Sequence, residues 1–281
     1  IETAEGNLVS IKSEGSKFKI VTLSYDEYPE LPVVKKENVI TIKQNILKDM
    51  IRKTIFAVST DEVRPILTGV LFDVSGEELT MVALDGFRMA VKKNIIMNDN
   101  NFKAVIPGKT LSEIGKIIND NEEDVNIYFS KNHIQVQIED TIIISRLLEG
   151  EFINYKQIIP AEYKIKIKVS SNLLMEACDR AALFARDSSN NMIKFEINDD
   201  MMVIMSNSQN GDVHEELKIQ KEGNDIEIAF NAKYFIDVLK VIESEEITIE
   251  FTTNVSPSII RPVKDENYLY LVLPARFKKN N

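Results

Sequence analysis

The 281-residue sequence predicts an α+β protein made of tandem repeats, each with two helices packed on antiparallel sheet. Three observations carry this. One order of elements (strand, helix, strands, helix, strands) occurs twice, beginning near Asn38 and again near Ala161. Within each copy, apolar residues recur at helical spacing in some segments and alternate in others. The later halves also match closely. FKAVIPGKTLSEIGKIINDNEEDVNIYF runs against DIEIAFNAKYFIDVLKVIESEEITIEF, with Lys109 on Lys233 and Lys116 on Lys240 at equal spacing.

In the first copy, NVITIKQNILKDMIRKTIFAV reads as a short strand and then a helix carrying Ile46, Leu47, Met50, Ile51, Ile55 and Val58 on one face. YKIKIKVSSNLLMEACDRAALFA is its counterpart. Paired strands follow each helix, VLFDVSGEELTMVAL in one copy and IKFEINDDMMVIMSN in the other, with turn residues between them. The N-terminal stretch NLVSIKSEGSKFKIVTLSYDEYPELP is similar to the end of the first copy, NHIQVQIEDTIIISRLLEGEFINYKQIIP, so that Tyr28 falls against Phe152. The expected division is therefore 1–31 as the last two strands of an earlier repeat, 32–37 as linker, 38–159 as one full repeat and 160–281 as the next. An intact parent would carry on the order of 95 further residues upstream. Two strands alone are marginal in water.

Composition narrows the function. No apolar run approaches the ~20 residues of a membrane-crossing helix, and IETAEGNLVS lacks the blocks of a signal peptide, so a cytoplasmic location and no membrane partner are expected. Cys178 is a single cysteine in an apolar helical stretch, where a small buried residue is the ordinary reading. His133 and His214 lie far apart, which gives no metal site, and no cofactor is expected. PGKT at 107–110 resembles the end of a phosphate-binding loop, but that loop needs a glycine where Lys103 stands. There is no GxSxG elbow, and the carboxylates gather in turns such as SGEE, NDNEED and ESEE. No catalytic constellation emerges.

The net charge of −10 argues against wrapping nucleic acid over the whole surface. Positive charge is nonetheless concentrated on helices. Residues 43–53 carry Lys43, Lys48, Arg52 and Lys53 against Asp49 alone, and the helices holding Lys109 and Lys116 and then Lys233 and Lys240 are each net positive. On charge alone this is what a solvated helix face carries. Nothing resembles a base-reading helix, so any nucleic-acid contact would ignore sequence.

The stretch LTGVLFDVSGEELTMVALDGFRMAV (67–91) closely resembles the middle domain of the bacterial beta sliding clamp family, while FNAKYFIDVL and YLVLPARF resemble its third domain. That resemblance implies tandem DNA-clamp domains in a non-catalytic processivity factor. Three such domains make a protomer, and two protomers close head to tail into a homodimer ring around duplex DNA. A chain lacking most of its first domain would not close a normal ring. The resemblance implies that Lys48, Arg52, Lys53, Lys109, Lys116, Arg180, Lys233 and Lys240 line the pore, with Arg64 in a loop near it. Family partners (replicative polymerase, clamp loader, repair polymerases) insert a Leu/Phe-ended peptide between the second and third domains. The matching positions are Leu67, Leu84, Gly86, Phe87, Arg88, Met89, Ile153, Ile158, Asn231, Tyr234, Val255, Leu271, Leu273, Pro274, Ala275, Arg276 and Phe277. Leu84, Phe87, Ile153 and Phe277 depart from the family's usual Thr, His, Pro and Leu, which makes the pocket more apolar. Leu183 and Phe184 match the third-domain face that meets the other protomer, with HEEL at 214–217 in the neighbouring strand. Two competing readings stay open from the residues: an enzyme with a scattered site, and a repeat scaffold that binds proteins but never DNA.

Overall fold

The computed structural model describes residues 1–4, 6–24, 26, 28, 32–98, 100–185 and 191–276, which fall into two compact units, Ile1–Val33 and Val34–Asn281. Phe277, expected in the pocket, lies outside the described residues.

The first unit is an antiparallel sheet of β1 (Glu2–Ala4), β2 (Leu8–Ser13) and β3 (Ser16–Val21) in that order, one short strand more than the pattern predicts. A two-residue turn at Glu14 and Gly15 closes the β2–β3 hairpin, with Ser13 opposite Ser16. Every residue of β3 is exposed, and its outer edge carries no partner strand among the described residues.

The second unit holds both full repeats. The first runs β4 (Asn38–Lys43), α1 (Gln44–Thr54), β5 (Gly69–Ser75), β6 (Glu78–Leu84), β7 (Arg88–Ile95), β8 (Asn101–Pro107), α2 (Gly108–Ile117), β9 (Asp124–Phe129), β10 (His133–Ile138) and β11 (Thr141–Arg146). The other runs β12 (Ile165–Ser170), α3 (Ser171–Ala185), β13 (Met192–Asn198), β14 (Met201–Ser208), β15 (Gly211–Lys218), β16 (Gln220–Glu222), β17 (Ile226–Asn231), α4 (Ala232–Leu239), β18 (Glu246–Phe251), β19 (Ser258–Pro262) and β20 (Tyr268–Val272).

Each repeat contains two sheets. The strand ahead of each helix leaves its own half and pairs with the meander of the other half, β4 with β9 and β8 with β5. The second repeat does the same, β12 with β18 and β17 with β13. The first repeat thus has the orders β11-β10-β9-β4 and β7-β6-β5-β8. In the second repeat the equivalents are β20-β19-β18-β12, extended by β16, and β15-β14-β13-β17.

The two repeats are fused by one antiparallel pairing, β7 with β20, which merges a sheet from each into nine strands. Across this seam Arg88 faces Val272, Met89 faces Leu271, Ala90 faces Tyr270 and Lys92 faces Tyr268. The merged sheet departs from alternation where both its faces are covered. β5, β6 and β7 are buried on both faces, so VLF reads as a continuous apolar run, with the buried Asp73 following it. Val70 and Phe72 join the helix-side core with Leu47, Met50 and Leu111, while Leu71 joins a second apolar cluster on the opposite face.

Polar groups also tie the seam. The Tyr268 hydroxyl donates to the Lys53 carbonyl at 2.9 Å, and Tyr270 packs its ring 5.8 Å from Phe56. Asp265, in the β19–β20 turn, bonds Lys92 at 2.7 Å and Lys53 at 3.5 Å. Burial pushes the Asp265 carboxyl up, but the two ammonium groups outweigh it and hold its pKa below the ordinary value. A carboxylate depressed on folding contributes stability above its unfolded pKa of about 3.9, and that contribution is lost as pH falls through the lower folded value. Asp265→Asn is therefore expected to lower the urea-unfolding free energy at pH 7 and to leave it nearer wild type at pH 2. A second expectation concerns packing: Tyr270→Ala should cost about 3–5 kcal/mol in the same measurement, because a fully buried ring leaves a cavity at the seam.

Candidate functional site

The second apolar cluster sits over the seam. Leu67 from the short 3-10 helix Pro65–Thr68, Leu84 ending β6, Met89 on β7 and Leu271 on β20 are buried together, with Ile158 and Leu273 packed at the margin. Six of the expected pocket residues are thus gathered from both repeats.

Beside them the turn Asp85–Arg88 is rigidly built. Gly86 has φ +92, a conformation that costs a side chain strain, and the Asp85 carboxylate accepts from the amides of Phe87 at 2.9 Å and Arg88 at 3.0 Å. The Phe87 carbonyl accepts the Leu273 amide at 2.8 Å, and Ala275 donates to the Ala229 carbonyl at 2.7 Å, which lays 273–275 between the turn and β17. The closing segment and the turn therefore meet.

Arg88 is only 6% exposed, and its guanidinium is committed to three partners: Asp85 at 2.9 Å, Asp237 on α4 at 2.6 Å and the Phe56 carbonyl at 2.7 Å. It also lies 4.8 Å from the Tyr234 ring centroid. Burial works against its charge, but Tyr270, Asp237 and Asp85 outweigh that and hold its pKa above the ordinary arginine value. Arg88 braces the turn beside the apolar cluster. Asn231 likewise spends its side chain locally, capping α4 by accepting the Lys233 amide at 3.0 Å.

Other expected residues lie at the periphery. Ile153 is exposed on the strap 147–156 and faces a cleft of about 810 Å³ whose lining shares no other residue with the expected set. That strap is pinned by Tyr155, whose hydroxyl donates to buried Asp73 at 3.1 Å. Pro274 is half-buried, whereas Val255 and Arg276 are exposed and outside the cluster. Sequence reasoning missed Asp237, Tyr155 and Asp73. Only Asp237 left a signal, an acid one helical turn after Tyr234.

The basic residues divide into two sets. Lys109, Lys116, Lys233, Lys240 and Arg64 are exposed and Lys48 is half-exposed, although Lys116 bonds Glu113 at 2.7 Å. Lys53 corrects the expectation: it is buried between Asp49 at 2.9 Å and Asp265 at 3.5 Å, because its position on α1 turns toward the seam. Arg52 reaches Asp49 at 2.8 Å and Glu243 at 2.5 Å, and Arg180 grips Glu215 on β15 with two bonds of 2.8 Å. On α3, Leu183 is exposed and Phe184 lies against Gly211, where a Cβ would come within 3.1 Å of its ring. Phe184 thus adjoins β15, whose outer edge carries no partner strand among the described residues.

Duplicated two-helix, two-sheet units joined edge to edge define the DNA-clamp class of protein, and no group of potential metal ligands occurs among the described residues. The family model described as DNA polymerase III beta subunit, central domain, matches residues 41–154, and that for the C-terminal domain matches 156–276. The beta sliding clamp of Staphylococcus aureus is 38% identical over 279 residues, covering 98% of this chain and 74% of the relative. Among solved structures, the Bacillus subtilis DNA polymerase sliding clamp superposes with a TM-score of 0.94 at 38% identity, covering 99% of this chain and 74% of that one. A putative DNA polymerase III beta subunit from Eubacterium rectale gives 0.93 at 36%, covering 98% and 76%. The chain belongs to the bacterial beta sliding clamp family, a family of non-catalytic subunits, and family membership supports a processivity-factor role in DNA replication.

Asp237→Asn is expected to cost about 1–3 kcal/mol in urea unfolding at pH 7, since Arg88 keeps Asp85 but is deprived of the charge of its closest partner. An unchanged unfolding free energy would mean that the brace adds nothing to stability.

Proposed function

We propose that the chain tethers replication and repair proteins to duplex DNA, gripping the phosphate backbone without sequence preference and holding partners by Leu/Phe-ended peptides in the pocket at the seam. The observation that carries this reading is the convergence of Leu67, Leu84, Met89 and Leu271 with Leu273 beside the braced turn, because an apolar cluster rimmed by fixed polar groups suits a short amphipathic peptide. Two or three apolar anchors at about 1.5–3 kcal/mol each, less ordering costs of about 2–5 kcal/mol, give exchangeable binding. Exchange is what a hub serving several partners requires.

The phosphate contacts in this reading are Lys48, Lys109, Lys233 and Lys240, with Arg64 beyond them. Lys116, Arg52 and Arg180 contribute only by releasing carboxylates they already hold, and Lys53 drops out. Low-specificity binding of this kind depends on counterion release and so on salt.

The seam also suggests how copies join. β3 ends its repeat as β20 does, and β15 occupies the place of β7, so β3 of one copy is proposed to pair with β15 of another. Transferring the seam register sets Phe18 opposite Val213 and Lys19 opposite Asp212, next to Phe184. β11, with no strand on its outer edge among the described residues, leaves such an assembly open rather than closed into a ring. Salt-resistant retention of the 281-residue chain on circular DNA would overturn that point.

Two titrations test the main reading. Anisotropy with a labelled Leu/Phe-ended peptide should show binding that Leu273→Ala weakens about tenfold or more. Combined Lys48→Glu and Lys240→Glu should leave that titration unchanged while lowering the slope of log K for duplex DNA against log salt by about 1 for each phosphate no longer neutralised. Peptide binding that ignores Leu273, or DNA binding whose salt slope is unmoved, sinks the corresponding half of the proposal.

A further inference from the structure

Phe87 is 59% exposed although Leu84, Arg88 and Met89 around it are buried. An isolated exposed aromatic is ordinary, but this ring is set on a built platform. It stacks on Tyr234 with centroids 6.3 Å apart and planes inclined by 21°, and the Arg88 guanidinium carbon lies 4.8 Å from the Tyr234 centroid. The backbone beneath is fixed at both polar groups, the amide on Asp85 and the carbonyl on Leu273. Tyr234 is held as well, its carbonyl accepting the Tyr270 hydroxyl at 3.0 Å.

The result is a short ladder from cation to phenol to phenyl, ending in an aromatic surface open to solvent beside the apolar cluster. Such a surface has little conformational freedom left to give up when something lands on it, which favours affinity. It distinguishes partners by shape and charge distribution. An aromatic ring gains quadrupole complementarity by offset or edge contact with Phe87, whereas a branched aliphatic side chain gains only the buried area.

We propose that Phe87 is a specificity-determining residue of the pocket, and that its open surface receives an aromatic side chain at the end of the partner peptide, so that this protein prefers Phe-ended over Leu-ended partners. The assignment rests on the peptide-pocket reading above. The stacking increment for one aromatic pair corresponds to a preference of about two- to tenfold.

The test uses the 281-residue chain and two labelled peptides identical except for a terminal Phe or Leu, titrated side by side by anisotropy. Wild type should favour the Phe-ended peptide by the stated ratio, Phe87→Leu should bring the ratio near unity, and Phe87→Tyr should preserve it. Circular dichroism checks that each variant is folded, which the exposure of Phe87 favours. Equal affinities on wild type, or a preference that survives in Phe87→Leu, overturns the assignment while leaving the pocket intact. Failure of both peptides to bind the wild type removes the pocket and the assignment together.

Discussion

An edge strand carries a row of unpaired N–H and C=O groups, and at β7 and β20 two such rows satisfy each other. Everything at the seam depends on that pairing. It merges one sheet from each repeat into nine strands and brings the β6–β7 turn of one repeat against the C-terminal segment of the other. The apolar cluster above the seam draws on residues far apart in sequence that neither repeat could assemble alone. A cluster shared in this way ties its own integrity to the joint's.

Charge at the joint is handled by pairing. Lys53, Lys92 and Arg88 are buried, and each faces at least one carboxylate, Asp265 serving the first two and Asp85 with Asp237 serving the third. A buried ion pair is weak support for stability in itself, because desolvation offsets the attraction, but it penalises any arrangement that separates the partners. Asp265 and Asp237 come from the other repeat, so their ion pairs with Lys53, Lys92 and Arg88 favour one register of the joint over its neighbours. The Arg88 brace carries this to the β6–β7 turn, where the same side chain lies against Tyr234 and, through it, Phe87.

A chain of net charge −10 presents lysines on α2 and α4 at matched positions, a consequence of repetition. On β15 the acids Asp212, Glu215 and Glu216 mark an edge that repels its like, while β3 carries Lys17 and Lys19. Edge charges of opposite sign restrict which strands pair, a device by which open sheets avoid indiscriminate association.

The sequence by itself determined the α+β class, the order of elements and the repeat, because helical and alternating periodicities are local and the duplicated halves retain matching residues such as Lys109 with Lys233. Motif resemblance also singled out Leu67, Leu84, Met89, Leu271 and Leu273, which the fold gathers into one apolar cluster, where periodicity alone assigns such residues to an ordinary core. Only the tertiary structure decided the two-sheet layout of each repeat, the burial of Lys53, the brace from Arg88 to Asp237, and the strap pinned by Tyr155 on Asp73. Each of these joins residues distant in the chain. Strand crossing and edge pairing set them, and neither leaves a periodic trace: a lysine turned toward a seam and one turned toward solvent occupy the same helix and differ only in what the rest of the fold puts opposite them.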